Sequence, residues 1–345
     1  MVDRVKLAVL GAGLIGKRHI RHVLEEPAAE LVAVVDPTSL GQEIARNAGV
    51  RWFPSFGDMI SAQRPDGVII ATPNQMHVRN GMDAVAAGIP ALIEKPIVDD
   101  VTAGEKLIKM AEAKGIPLLT GHHRRHAPMM QKAKQIIESG ELGRILVVNA
   151  MFWLFKPDNY FDTPWRRERG AGPVFLNLIH DIDNLRYLLG DIAAVQARES
   201  NAMRGYAVEE TAVILIEFKN GILGSASVSD SVVAPWSWEM TTGENAAYPK
   251  TEEACYMIGG THGSLAVPSL DIWRNPAERS WLEPFARKRI DVENQDPLVL
   301  QIRQFCNVIR GHEEPLVSGR EGWETLRVID AVKRSAATLQ RVALP

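Results

Sequence analysis

"LAVLGAGLIGKRH", Leu7–His19, sets three glycines between an apolar run and a basic, helix-like stretch. Gly11, Gly13 and Gly16 carry the spacing G-x-G-x-x-G, and Asp36 closes the next apolar run about twenty residues further on. The three glycines differ in what they allow. Gly11 permits the tight turn, Gly13 lets backbone approach a pyrophosphate, and Gly16 lets helix pack on strand. Leu14 and Ile15 open the helix whose free N–H groups and dipole receive phosphate. Gly11, Gly16 and Lys17 also nearly spell a phosphate-binding loop of the triphosphatase type. Arg18, however, stands where such a loop needs a Ser or Thr for magnesium. The loop is therefore read as dinucleotide-binding. Asp36 can hydrogen-bond a ribose and would repel a 2′-phosphate, and no arginine adjoins it, which favours NAD over NADP.

Working outward, apolar runs at 5–10, 31–36, 67–71, 91–94 and 117–120 alternate with amphipathic stretches at 15–25, 41–48, 76–87 and 101–114. Strands separated by helices of this length imply right-handed crossovers and a doubly wound parallel sheet. Beyond residue 140 the pattern changes. "RILVVNAMFWLF", "EETAVILIEFKNG" and "ILGSASVSD" read as longer strands, the last two joined by a tight "KNG" turn, so an antiparallel sheet is expected. Helices are expected at 129–138, 178–189, 297–309 and 322–339. The predicted fold class is α/β: a Rossmann domain over residues 1–123, then an α+β domain over 124–345 with a large, mainly antiparallel open-faced sheet. The segment 231–253, with Trp236 and Trp238, is too long for a simple turn; it reads as buried packing, a sugar-stacking wall or an interface patch.

The bulk composition excludes several classes. The 345 residues carry 46% hydrophobic and 23% charged side chains and a net charge of −3, so neither nucleic acid nor an anionic membrane is an expected partner. No apolar run approaches the ~20 residues of a membrane span, and the N-terminus lacks a signal-peptide pattern. Two distant cysteines, Cys255 and Cys306, make no disulfide framework, and a cytoplasmic setting is expected.

Ligands of open parallel sheets bind at the carboxyl ends of strands. Two apolar runs end there in polar clusters: "IIATPNQMH", with Ala71, Thr72, Pro73, Asn74 and His77, and "ALIEKP", with Glu94, Lys95 and Pro96. Lys95 is aimed by topology at the nicotinamide end of the crevice, and Pro96 stiffens its turn. These two motifs, with "GAGLIGKRH", "VVDP", "GHHRRHAP" and "GAGPVFLNLIHDID", resemble the glucose–fructose oxidoreductase, inositol dehydrogenase and rhizopine-catabolism family (Gfo/Idh/MocA) over residues 7–183.

The resemblance implies an open-faced sheet domain after the Rossmann domain, with a small-molecule substrate between them. It further implies Lys95 as the central catalytic lysine, a cis Lys95–Pro96 bond, and homodimers or homotetramers through the large sheet. It also bears on "VFLNLIHDIDNLRYLLGD", residues 174–191. That helix alone leaves His180 open as a core histidine or a proton carrier, and the resemblance makes it the catalytic histidine. Inositol-dehydrogenase-like members carry an aspartate four residues before this histidine, where Leu176 stands here. Asn177, one step closer, can orient a hydroxyl but cannot take a proton. Asp183 either replaces the missing carboxylate or braces the helix.

"GHHRRHAP" holds His122, His123 and His126, but its arginines disfavour a cation and no metal is expected. His123 and Arg124 are substrate-contact candidates, with packing as the competing reading. In "DTPWRRERGAGP", Trp165 is expected to cover the nicotinamide and Arg166 to bond the substrate, against a solvated loop. The implied activity is NAD-dependent hydride transfer at a secondary alcohol or ketone of a sugar, sugar derivative or cyclitol. His180 (pKa ordinarily ~6.5) would act as base and Lys95 would steady the alkoxide. Alternatives are a dihydrodiol or hydroxy-acid dehydrogenase, or a non-catalytic NAD-binding regulator.

Overall fold

The computed structural model describes residues 4–345, which form two compact units. The first comprises residues 4–126 and 295–326. Its elements are β1 (Val5–Leu10), α1 (Leu14–Glu25), β2 (Ala29–Val35), α2 (Ser39–Asn47), β3 (Arg51–Phe53), α3 (Phe56–Ala62), β4 (Gly67–Ile70), α4 (His77–Ala86), β5 (Ala91–Ile93), α5 (Val101–Lys114) and β6 (Leu118–Thr120). The six strands pair in parallel in the order β3-β2-β1-β4-β5-β6, the doubly wound arrangement expected from the alternating pattern. Strand order reverses between β1 and β4, so the crevice opens beside the glycine loop.

The second unit comprises residues 127–294 and 327–345. It holds α6 (Pro128–Glu138), β7 (Ile145–Trp153), α7 (Ile179–Leu189), β8 (Ile192–Ser200), β9 (Thr211–Phe218), β10 (Leu223–Ser229), α8 (Trp238–Thr242), β11 (Tyr256–Gly260), β12 (Ser264–Val267), β13 (Asp271–Arg274) and β14 (Ala286–Arg289). The nine-stranded sheet is mainly antiparallel, and β9 and β10 form the hairpin that the "KNG" turn announces. β7 and β10 pair in parallel, which makes the sheet mixed. Its inner-face residues Val148, Ala150, Phe152, Ile214, Ile216, Ala226 and Val228 are buried, while the alternating Val147, Val213, Leu215 and Leu223 are exposed.

The chain then returns to the first unit as α9 (Pro297–Ile309) before α10 (Gly319–Thr338) and the short β15 (Val342–Ala343), which pairs with β8. The single boundary expected at 123/124 would put residues 295–326 in the second domain; packing groups them with the first. The reason is the apolar face of α9. Ile302, Phe305, Cys306 and Val308 complete the core built by Val5, Leu7, Leu31 and Val34. The expected strands also lack β3, an edge strand of three residues. Phe305 is fully buried in that core. Phe305→Ala is expected to cost about 3–5 kcal/mol, read as a lowered urea midpoint.

Candidate active site

The glycine loop fits what its spacing implies. Gly11 has φ +89°, and a Cβ there would lie 2.5 Å from the Ala71 carbonyl oxygen. A Cβ on Gly16 would stand 2.0 Å from the Gly11 carbonyl oxygen. A Cβ on Gly13 would meet nothing within 4 Å. Gly11 and Gly16 are thus required by the chain itself, whereas Gly13 leaves room above the start of α1. Leu14, 89% exposed, projects beside that room and Ile15 is half-buried.

Asp36 at the end of β2 is fixed on both oxygens. Oδ2 accepts from the Ala12 amide at 2.8 Å, and Oδ1 accepts from the Thr38 amide and hydroxyl at 2.9 and 2.5 Å. Partial burial pushes its pKa up, but the bonds from Thr38 and Ala12 outweigh burial and hold it below the usual carboxylate range. An ionised carboxylate oxygen has lone pairs beyond one bond, so Oδ2 can also accept a ribose hydroxyl. A cavity of about 960 Å³ runs past Gly11, Asp36, Thr38, Thr72 and Asn80. Room at Gly13, an ionised Asp36 and this cavity fit a dinucleotide.

The neighbouring strand ends are tied together from below. His77 is buried, its Nδ1 2.8 Å from the Pro96 carbonyl oxygen and its Nε2 2.9 Å from that of Thr72. Both ring nitrogens are engaged by the chain, so His77 braces the two loops instead of presenting a ring nitrogen outward. Thr72 also donates its hydroxyl to Asn80 at 3.0 Å, and Ala71 is buried while Pro73 is exposed and Asn74 half-buried. The Lys95–Pro96 bond is cis.

Beneath Lys95, Glu94 is buried. Its Oε1 accepts from His19 Nε2 at 2.6 Å, and its Oε2 from the Lys95 amide at 3.1 Å. Burial alone would raise its pKa. The hydrogen bond and charge of His19, with the fields of His123 and Lys95, overcome it and pull the value down to about 2. His19, to which the motifs assign no role, is therefore the partner of the glutamate in "EKP". In the following turn His123 is half-buried and Arg124 buried, with Arg125 paired to Glu321 at 2.9 Å.

In the second unit, residues 174–178 form a π-helical turn that runs into α7, a departure from plain α-helix often found at functional sites. Asn177 is half-buried on that turn, and His180 is 8% exposed on the first turn of α7. The Tyr256 hydroxyl donates to Asp181 and accepts from Asn184 Nδ2 at 2.9 Å, which pins the helix to β11. Asp183, one turn beyond His180, is buried. Asn177 Oδ1 accepts from Lys156 Nζ at 2.9 Å, a partner that no motif singles out.

The loop 162–173 differs from its sequence reading. Arg166 donates to the Tyr160 carbonyl oxygen at 2.7 Å and stacks 4.0 Å over the Tyr160 ring; Arg167 donates to the Phe161 carbonyl oxygen at 2.6 Å. Both guanidinium groups are folded onto the chain. Trp165, just before them, is 53% exposed. Trp238 is buried against Tyr256, and Trp236 packs edge-on against Trp153.

Gly13→Ala is expected to leave the thermal midpoint nearly unchanged while weakening NAD binding about tenfold or more, by calorimetry or fluorescence titration. Glu94 has a lower pKa folded than unfolded, so its contribution is present above the unfolded value near 4.5 and is lost as pH falls toward about 2. Glu94→Gln should flatten the stability–pH curve in that window, measured by urea denaturation at stepped pH.

Two family models match the chain: residues 5–122 match the oxidoreductase family's NAD-binding Rossmann fold, and residues 130–266 the GFO/IDH/MocA C-terminal domain. The rhizopine catabolism protein MocA of Rhizobium meliloti is 33% identical over 190 residues, 55% of this chain and 58% of that protein. The chain thus aligns with little more than half the length of that relative. A 1,5-anhydro-D-fructose reductase of Ensifer adhaerens is 25% identical over 96% of both chains. The WlbA dehydrogenase of Bordetella pertussis, solved with NADH and UDP-GlcNAcA, superposes with a TM-score of 0.81 at 26% identity over 99% of both chains. The chain belongs to the GFO/IDH/MocA family of oxidoreductases and carries that family's NAD-binding Rossmann fold.

Proposed function

We propose that the protein is an NAD-dependent dehydrogenase acting on a secondary alcohol, or the matching ketone, of a sugar, sugar derivative or cyclitol. The observation that carries this reading is Lys95 on its turn directly after β5, above buried Glu94, in the same row of strand ends as the glycine loop and Asp36. A lysine in that row supports a reading of chemistry at the cofactor's reactive end, which a mere nucleotide sensor does not need. Two relatives point to the substrate class, one named for an anhydro-sugar and one solved with a nucleotide sugar.

Bound NAD would supply the hydride acceptor. Gly11, Gly13, Leu14, Ile15 and Gly16 would hold its pyrophosphate, Asp36 its adenosine ribose, and Thr72 to Asn74 with Lys95 the nicotinamide side. His180 is assigned the role of general base toward a substrate hydroxyl, and the Lys95 ammonium that of steadying developing alkoxide charge. Asn177 holds a substrate hydroxyl by hydrogen bonding. An acidic substrate receives less support, because Arg166 and Arg167 each commit one guanidinium nitrogen to the carbonyl oxygens of Tyr160 and Phe161.

The same reading includes a cytoplasmic homodimer or homotetramer formed through the large sheet. Its support is the exposed apolar row Val147, Val213, Leu215, Leu223 and Met257, and two buried cysteines without a disulfide. Among the described residues no helix is long and apolar enough to cross a membrane.

The test is NADH formation from NAD⁺ across cyclitols, aldoses, sugar acids, dihydrodiols and hydroxy acids, with NADP⁺ in parallel. Turnover of a sugar or cyclitol with NAD⁺ is expected; no turnover with either cofactor would favour the regulator. Lys95→Ala should lower kcat by about 10²- to 10⁴-fold with NAD affinity nearly intact. His180→Ala should also flatten the acid limb of the kcat–pH profile, and an unchanged profile would exclude it as the base.

A further inference from the structure

Lys156 lies three residues beyond β7 and is only 9% exposed. Its backbone amide donates to the Asp230 carbonyl oxygen at 2.8 Å, so the main chain fixes where the side chain starts. Its ammonium stands 2.9 Å from Asn177 Oδ1, 3.4 Å from Asp230 Oδ2 and 5.1 Å from the centre of the Tyr160 ring. Asp230 is shared. Arg204 Nη1 holds its Oδ1 at 2.5 Å, and Arg204 Nη2 donates to the carbonyl oxygens of Asp230 and Lys156 at 2.8 and 3.1 Å. One carboxylate therefore faces two cations, and the shorter contact goes to the arginine.

Of these contacts of the Lys156 ammonium, the shortest is to a neutral amide. Burial accordingly pushes its pKa below the ordinary lysine value, against the raising effect of Asp230. A buried cation that is only partly compensated adds little to stability. What it does determine is the orientation of its neighbour. An ammonium donates and never accepts, so the atom of Asn177 that faces it is the carbonyl oxygen. The NH₂ end is then the end left to meet another molecule, three residues before His180.

We propose that Lys156 is a positioning residue of the dehydrogenase site: by holding Asn177 Oδ1 it presents Asn177 Nδ2 as a hydrogen-bond donor. The site thereby selects substrates with an accepting oxygen, a hydroxyl or carbonyl, beside the reacting carbon. This rests on the dehydrogenase reading. It separates Asn177 from an aspartate, which would accept at that point and could not donate.

The test is a double-mutant cycle on the full-length protein with Lys156→Met and Asn177→Ala, using the best substrate of the panel. Lys156→Met should lower kcat/KM about tenfold, mainly through KM, with an unchanged or higher thermal midpoint. In the Asn177→Ala background the same change should have less than about a twofold effect. Additive losses would overturn the proposal. Asn177→Asp, which keeps a Lys156 partner but removes the donor, should behave like Asn177→Ala; wild-type KM in this variant would also overturn it. A second readout does not need turnover. The Asn177 side-chain NH₂ resonances should shift in Lys156→Met, and unmoved resonances would overturn the contact. If the wild type turns over nothing, the dehydrogenase reading fails and the role in substrate selection with it, while shifted resonances would still locate the fault in that reading rather than in the contact.

Discussion

The first unit keeps an ionised carboxylate in its interior, and that unit's own candidate residues, the glycine loop and Lys95, are tied to it. Glu94 reaches His19 on α1 with one oxygen and the Lys95 amide with the other. Removing a carboxylate from water costs several kcal/mol unless hydrogen bonds and opposite charge replace the solvent. Here an imidazole, an amide and the fields of His123 and Lys95 replace it. Gly121 belongs to the same arrangement, since a Cβ there would stand 2.9 Å from Glu94 Oε2. The helix whose first turn faces the phosphate site and the strand end that carries the lysine are consequently fixed to one buried group. A shift of either would leave that charge unpaired. The relation between phosphate loop and Lys95 is thus set by electrostatics as much as by packing.

The second unit solves a similar problem at the start of the helix that carries His180. The Val174 amide, at the head of the π-helical turn, donates to Glu209 Oε1 at 3.2 Å. Gly172 makes room for that carboxylate, because a Cβ there would come within 2.1 Å of Oε1. The other Glu209 oxygen binds Lys333 at 2.7 Å, and Lys333 also reaches Glu199. With Tyr256 holding Asp181 and Asn184, both ends of the stretch from 174 to 184 are fastened by polar contacts in a buried setting. Such networks are costly when incomplete, which confines the helix to one rotation.

How much of this can be read from the chain depends on the range of the contacts. The Rossmann half is legible because parallel strands and their crossovers repeat locally, each helix beside its strand in sequence. β3 escapes because three residues carry no periodicity. In the second half, "KNG" announces β9 and β10, since a hairpin is a local signal. The parallel pairing of β7 with β10 joins residues about 76 apart, as Leu223 with Val147, and nothing local encodes it. The return of α9 is hidden for a related reason: an amphipathic stripe declares that it will be buried, not against which surface. Among site residues, the glycines, Asp36 and Lys95 are legible because motif spacing reflects local geometry. The partners are not. His19 meets Glu94 across 75 positions and Lys156 meets Asn177 across 21. The one signal for Lys156 is a lysine set in "FWLFKP", an apolar run that would bury it.

The arginines of the loop 162–173 show the opposite failure, in which charge type is legible and its use is not. A guanidinium beside a glycine-rich turn reads as a ligand for anions, yet five donors in a fixed fork serve carbonyl oxygens equally well. Arg166 and Arg167 close their own loop on Tyr160 and Phe161, with Tyr160 also beneath Arg166 and beside Lys156. Cationic groups that the sequence offers to a substrate are thereby used to hold the loop. Under the proposed function, Asn177, held by Lys156, would meet a substrate as a neutral donor. Neutral donors discriminate by matching hydroxyl and carbonyl oxygens one at a time, because an unmatched buried partner is penalised more than a matched one is rewarded. Under the proposed function, a site that recognises substrate with such donors would distinguish polyols by the position and configuration of single oxygens, where a charged site would attract any anion that fits.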